Sequence, residues 1–242
     1  MRAVLSFELY KRRHAFLGVL GYHLGLTLML RAISEGDGGI YIMMPLFALL
    51  GALLLAGTSG ISHLGDAAAR GELGQTLFLP QGPRRVALAV GLATWALVTF
   101  LLLLAFLTTG ALLPKGFADL ARMGLYLSLS LAPALSGLAT LAGAVEVAYH
   151  LGRVRWLMSG LVFVAGVRLL LASERIPWLW RGPSVPVSDL GFLDEVLGPG
   201  GRFTLQLVQP PAEWPLLPIA AGVLLFLLGV GLSERILDES EV

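Results

Sequence analysis

Cysteine is absent from this chain, which excludes a disulfide framework, a thiol nucleophile and any Cys-ligated metal. Asparagine is absent as well, and lysine occurs only as Lys11 and Lys115. Neither lysine stands in a Gly-x-x-x-x-Gly-Lys-Ser/Thr phosphate loop, so the sequence holds no ATP-hydrolysing motif of that kind. Charge is scarce too. Only 14% of residues are Asp, Glu, Lys or Arg and the net charge is +1, against about 25% charged residues in a soluble domain. No basic face or charge run points to nucleic acid. The four histidines, His14, His23, His63 and His150, lack the paired spacing of a metal site.

Apolar residues fill the space that charge leaves. They make up 56% of the 242 residues, with mean hydropathy +0.80, which marks a membrane protein. A helix needs about 17–25 mostly apolar residues to cross the hydrocarbon core. Six segments meet that requirement: Phe16–Ile33, Tyr41–Leu64, Val86–Leu113, Met123–Val145, Trp156–Ala172 and Leu216–Leu232. The first is too long for the apolar part of a signal peptide and no small-x-small cleavage site follows it, so it reads as an uncleaved span. What remains outside the spans is too little to bury a soluble core of its own.

Arginine and lysine set the expected orientation. With the N-terminus in the cytoplasm, Arg2, Lys11, Arg12, Arg13, Arg70, Arg84, Arg85, Arg153, Arg155 and Arg235 all fall inside, as the positive-inside rule requires of short loops. Both termini are therefore expected in the cytoplasm. The long outer segment 173–215 is rich in Pro and Trp. Within it "LGFLDEVL" reads as a short helix capped by Ser188. The segment is either an ordinary exposed loop or a partly re-entrant one, which a membrane tolerates only where protein or a cavity covers the backbone.

Between the second and third spans stands "RGELGQTLFLPQGPRR", Arg70 to Arg85. Asp66 suits an N-cap or first-turn acid, and a helix is predicted from about Asp66 to Leu79. Leu73 and Leu77 share its apolar face, with Phe78 adjoining. Pro80 ends it, Gly82 and Pro83 turn the chain, and Arg84 and Arg85 mark re-entry into the bilayer. Read from the residues alone, this helix could equally be a lid dipping its apolar side into the interface.

In order and register this stretch resembles the cytoplasmic loop of the ABC type-2 exporter permeases. Gly71, Leu73, Leu77, Leu79, Pro80 and Arg84 fall in the family's positions, with Gly71 nine places before Pro80. Glu72 replaces the usual Thr, and Gly74 stands where an acid is common. "SFELYKRRHAF", with Glu8 and the basic cluster Lys11, Arg12 and Arg13, resembles the family's N-terminal amphipathic interface helix. The resemblance implies an all-α membrane protein with six transmembrane helices, that interface helix and a cytoplasmic coupling helix, forming a single transmembrane domain over residues 1–242.

The resemblance also implies a role. The coupling helix docks in a groove of an ABC ATP-binding subunit, with Leu73, Leu77 and Phe78 as anchors and Glu72, Arg84 and Arg85 at the rim. Asp66, Gly71 and Pro80 shape the helix, and His150, Arg153 and Arg155 of the second inward loop make an auxiliary contact. ATP and Mg belong to the partner, and this chain binds no cofactor. A second permease chain, identical or related, completes the pathway in the inner membrane.

Two rival readings use the same residues. "GTSG", Gly57 to Gly60, resembles the nucleophile motif of rhomboid-like intramembrane proteases, but a serine nucleophile needs a base within hydrogen-bond reach. His63, four residues after Ser59, could share its face, yet no third group orients it. Close helix packing is the simpler use of those small residues. The other rival is a membrane assembly subunit without transport. His23 is expected in an interhelical hydrogen bond, Glu146 and Arg168 are expected to snorkel from span ends, Pro45 to sit in first turns, and Pro133 to kink the fourth span.

Overall fold

The computed structural model describes residues 2–33, 41, 43–69, 82–112, 117–148, 155–172, 184–186 and 213–239. Among them are seven helices: α1 (Arg2–Lys11), α2 (Arg13–Ile33), α3 (Met43–Ala69), α4 (Gly82–Leu112), α5 (Phe117–Ala148), α6 (Arg155–Ala172) and α7 (Leu217–Glu239). Five of these, α2, α3, α4, α5 and α7, are long and apolar enough to cross a membrane. The chain is thus a helical, multi-pass membrane protein. The fifth expected span falls on α6, whose stretch Ser159–Arg168 is a shorter apolar helix. Two short strands, β1 (Ser184–Pro186) and β2 (Glu213–Pro215), pair antiparallel with Val185 opposite Trp214, so residues 184–186 lie beside the C-terminal end of the outer segment. The "LGFLDEVL" helix capped by Ser188 lies outside the described residues, as does any re-entrant course.

Two boundaries depart from the sequence reading. α3 runs unbroken from Met43 through Ala69, so Asp66 sits in the last turns of a continuing helix and does not begin a new one. An alanine-rich tail, Ala67 to Ala69, gives the helix no reason to stop at the end of the apolar run. At the other flank α4 starts at Gly82, whose φ of +63° is a left-handed conformation suited to glycine. Pro83 follows in the first turn, where its missing N–H costs nothing.

Most of the hydroxyl side chains in the helices are satisfied locally, as an apolar surrounding favours. Thr58, Thr94, Thr108, Thr109, Ser128, Ser136, Thr140 and Ser233 each donate a hydroxyl proton to the carbonyl four residues earlier, at 2.6–2.9 Å. These hydroxyl residues can therefore populate the helices with their protons used; the buried Thr99 hydroxyl is the exception, with no partner among the described residues.

α5 is the hub, packing against α3, α4, α6 and α7. In lipid there is little hydrophobic gain from bringing helices together, so close van der Waals approach has to hold them. Glycines make that approach possible. A Cβ on Gly60 of α3 would come within 2.5 Å of Ala139 Cβ, and one on Gly143 within 2.5 Å of Gly60 O. On the other side of α5, a Cβ on Gly137 would lie 2.6 Å from Phe226 Cα, and Gly222 and Gly229 press against the backbones of Ser130 and Gly137. Trp95 of α4 stitches the same junction, stacking obliquely on Phe226 at 5.3 Å and donating Nε1–H to Ser128 O at 2.9 Å. Pro133 is buried inside α5, and Pro45 lies in the first turn of α3.

The ends of α3, α4, α5 and α7 converge around Leu64, Val86, Val90, Val147 and Leu237. Segment 70–81 joins two of those ends. A larger core, including Leu97, Leu101, Phe106, Leu135 and Phe163, fills the middle of the bundle.

Gly137→Val should lower thermal stability in detergent by about 1–3 kcal/mol or more, because an overpacked interior has to move backbone. Gly21→Ala, on the outer side of α2 with nothing within 4 Å of the added methyl, should leave the melting temperature unchanged or raise it. Equal effects of the two substitutions would contradict the packing scheme.

Candidate functional site

The densest polar cluster among the described residues forms where α1 meets α2. Arg12 is the single residue between the two helices, and the backbone ladder carries on across it: Arg12 N–H donates to Glu8 O and Leu9 O, both 3.2 Å, and Phe16 N–H donates to Arg12 O at 3.1 Å. Sharing one N–H between two carbonyls tightens the turn at that point. Glu8 and Arg12 are four apart and share one face, and both are buried, at 8% and 3% exposure. Phe7 and Tyr10 face outward. Lys11 Nζ lies 4.5 Å from the Phe7 ring centre and the Arg13 guanidinium 4.2 Å from that of Tyr10.

The basic cluster is divided by helix geometry: Arg13 is exposed, whereas Arg12 turns inward with Glu8. The reason is the 3.6-residue period, which puts residues 8 and 12 on one face and 10 and 13 on another.

Inside the bundle, Arg12 Nη1 donates to two hydroxyls, Ser59 Oγ of α3 at 2.5 Å and Thr94 Oγ1 of α4 at 2.6 Å. Thr94 gives its own proton to Val90 O at 2.9 Å, which leaves its oxygen free to accept. Nε and Nη2 have no hydrogen-bond partner among the described residues. Burial pulls the guanidinium pKa below its ordinary value, to about 10, with the Glu8 carboxylate acting in the opposite direction. Arg12 therefore stays charged at neutral pH.

Ser59 is positioned by its neighbours in "GTSG". Gly57 admits Phe163 of α6 and Gly60 admits Ala139 of α5, so the two glycines close against other helices while Ser59 faces Arg12. Packing is thus the use those glycines find. The Ser59 hydroxyl accepts from a cation, the opposite of what a nucleophile requires. The His63 side chain lies outside the described residues.

Three further polar positions matter. His23 of α2 bonds Thr108 of α4 at 2.9 Å through Nε2, the interhelical contact expected of it. Thr108 gives its proton to Leu104 O, so Nε2 is assigned as the donor. Glu146 does not snorkel. It is 5% exposed and accepts a 3.4 Å bond from Ser159 Oγ of α6, because the close seat of α6 on α5 leaves it no way out. Arg168 is exposed.

Of the expected coupling residues, Gly71, Glu72, Leu73, Leu77, Phe78 and Pro80 lie outside the described residues, as do His150 and Arg153. Arg155 opens α6, with its side chain undescribed. Arg84 and Arg85 are exposed on the first turn of α4, and Arg84 Nε lies 3.8 Å from Glu234 Oε2 of α7, an exposed pair worth about 1 kcal/mol or less. The structure thus brings together Glu8, Arg12, Ser59 and Thr94, of which sequence reading placed the first two together before the first span and Ser59 and Thr94 separately in the second and third spans. The four-residue spacing of Glu8 and Arg12 was the available signal; nothing in the sequence marked Thr94 as their partner.

Arg12→Met alone should destabilise the protein by about 3–5 kcal/mol, since it removes the buried cation that stands beside the Glu8 carboxylate and leaves Ser59 and Thr94 without their donor. The double change Glu8→Gln with Arg12→Met should recover most of that loss in thermal unfolding. A double variant as unstable as the single one would show that the two charges do not compensate each other.

No family model, no curated protein and no solved structure matches this chain.

Proposed function

We propose that this chain is the membrane-spanning permease subunit of an ATP-driven ABC exporter, working by alternating access. The observation that carries the reading is segment 70–85, with its Gly71, Leu73, Leu77, Pro80 and Arg84 register, placed between two long apolar helices. α3 enters that segment and α4 leaves it, and both ends pack with those of α5 and α7. A force applied at the segment therefore acts on four helices at once.

In this reading α6 is the sixth span. Its 18 residues reach about 27 Å at 1.5 Å per residue, close to the thickness of a hydrocarbon core. The end of the bundle that holds Arg84, Arg85 and Arg235 is the cytoplasmic one, which puts both termini on the cytoplasmic side of the inner membrane. α1 lies near that interface, with Phe7 and Tyr10 turned toward lipid headgroups under their own cations. ATP and Mg are bound by a separate ATP-binding subunit, and a second permease chain completes the translocation path. His150, Arg153 and Arg155 provide the auxiliary contact. The engagement of Ser59 by Arg12 weighs against a protease.

The test is co-purification with an ATP-binding subunit from the native source. Leu73→Asp with Leu77→Asp should weaken that association roughly a hundredfold or more, given about 2 kcal/mol for each docking anchor, while the chain still inserts in the membrane. Unchanged association would refute the docking role, and covalent labelling of Ser59 by a fluorophosphonate would replace the exporter with a hydrolase.

A further inference from the structure

α2 is the least buried of the five long apolar helices. Its inward contacts fall on one narrow seam: Arg12 at its N-terminal junction, then Phe16, Val19, His23 and Leu30 at intervals of three, four and seven residues. Down this seam Phe16 meets Phe100 at 5.5 Å and His23 meets Thr108 at 2.9 Å. Those two contacts reach α4 alone. Arg12 reaches α4 and α3 together, from a single nitrogen. Its two partners lie on the two helices that flank segment 70–81.

We infer that Arg12 is a positioning residue that yokes the α1–α2 junction to the α3–α4 pair, so that these four helices move as one body at the level of Ser59 and Thr94. A leucine would fill the same space without the cost of burying a charge. What a leucine lacks is a donor group that can hold two hydroxyls on two different helices. Both bonds come from Nη1, so the forked geometry of guanidinium is not required, and a lysine ammonium, with three protons on one atom, can serve the same pair of hydroxyls. The consequence for transport rests on the docking reading above: a shift of α3 and α4 driven through segment 70–81 would carry α1 and α2 with it.

The absence of native cysteine makes a direct test available. Phe7→Cys on α1 and Leu54→Cys on α3 are both outward-facing sites, and spin labels there report the α1–α3 distance in the full chain reconstituted in lipid nanodiscs. The parent should give one narrow distance. Ser59→Ala with Thr94→Val, which retains Arg12 and Glu8, should lose that single distance, and Arg12→Lys should keep it. Identical distributions in the parent and the Ser59→Ala/Thr94→Val variant would overturn the yoke, as would loss of the narrow distance in Arg12→Lys with the hydroxyls intact.

Adding the co-purified ATP-binding subunit with ATP and Mg separates this inference from the docking reading. A nucleotide-driven change in the α1–α3 distance should accompany neither the parent nor Arg12→Lys, because the yoked helices move together, but should emerge in Ser59→Ala/Thr94→Val. The same nucleotide-driven change in parent and hydroxyl variant would count against the yoke. Failure of any ATP-binding subunit to associate with the parent would sink the docking reading and leave the nanodisc comparison to decide the yoke.

Discussion

The close backbone approach of α5 to its neighbours is the constraint on which the bundle depends. One helix can serve four others only if side chains do not hold them apart, and in an apolar solvent no hydrophobic gain rewards a looser fit. Gly60 and Gly143 bring α3 onto one side of α5, and Gly137, Gly222 and Gly229 bring α7 onto the other. The Thr and Ser residues between these contacts return their protons to their own helix. The interface can therefore be both tight and weakly polar. Glu146 is buried as a by-product of this closeness, held beside Ser159 where α6 meets α5.

The N-terminal pair of helices obeys a different logic. α1 and α2 pack chiefly on α4, and α2 leaves most of its surface facing outward. Directional contacts take the place of broad packing: an arginine on two hydroxyls, an aromatic pair and a histidine on a threonine. Arg12 is the costly member of the set, and Glu8 offsets part of the cost by standing one turn before it. A buried charge of this kind favours one register of α1 and α2 over others more than it adds stability.

Much of the architecture was legible in the residues. Spans announce themselves because a bilayer requires uninterrupted apolar length, and the six expected segments fall in order on α2 to α7 with ends shifted by a few residues, five of those helices being long and apolar enough to cross. The turn into α4 was readable from Gly82 and Pro83, because each has few backbone conformations to choose from. Asp66 misled because a capping residue and an ordinary helical residue look alike when the alanines that follow extend the same helix. Glu146 misled because snorkelling depends on a free path to water, which is a property of neighbours distant in sequence.

The amino-acid sequence by itself determined that this is a multi-pass helical membrane chain, since hydropathy and length act locally and every backbone group in a helix finds its partner within four residues. It also set the faces of each helix through the 3.6-residue period. Which faces meet was decided only in three dimensions. Arg12 and Ser59 are separated by 47 positions, and Arg12 and Thr94 by 82; their association follows from how α3 and α4 are brought together around α5, and no local pattern of residues encodes it.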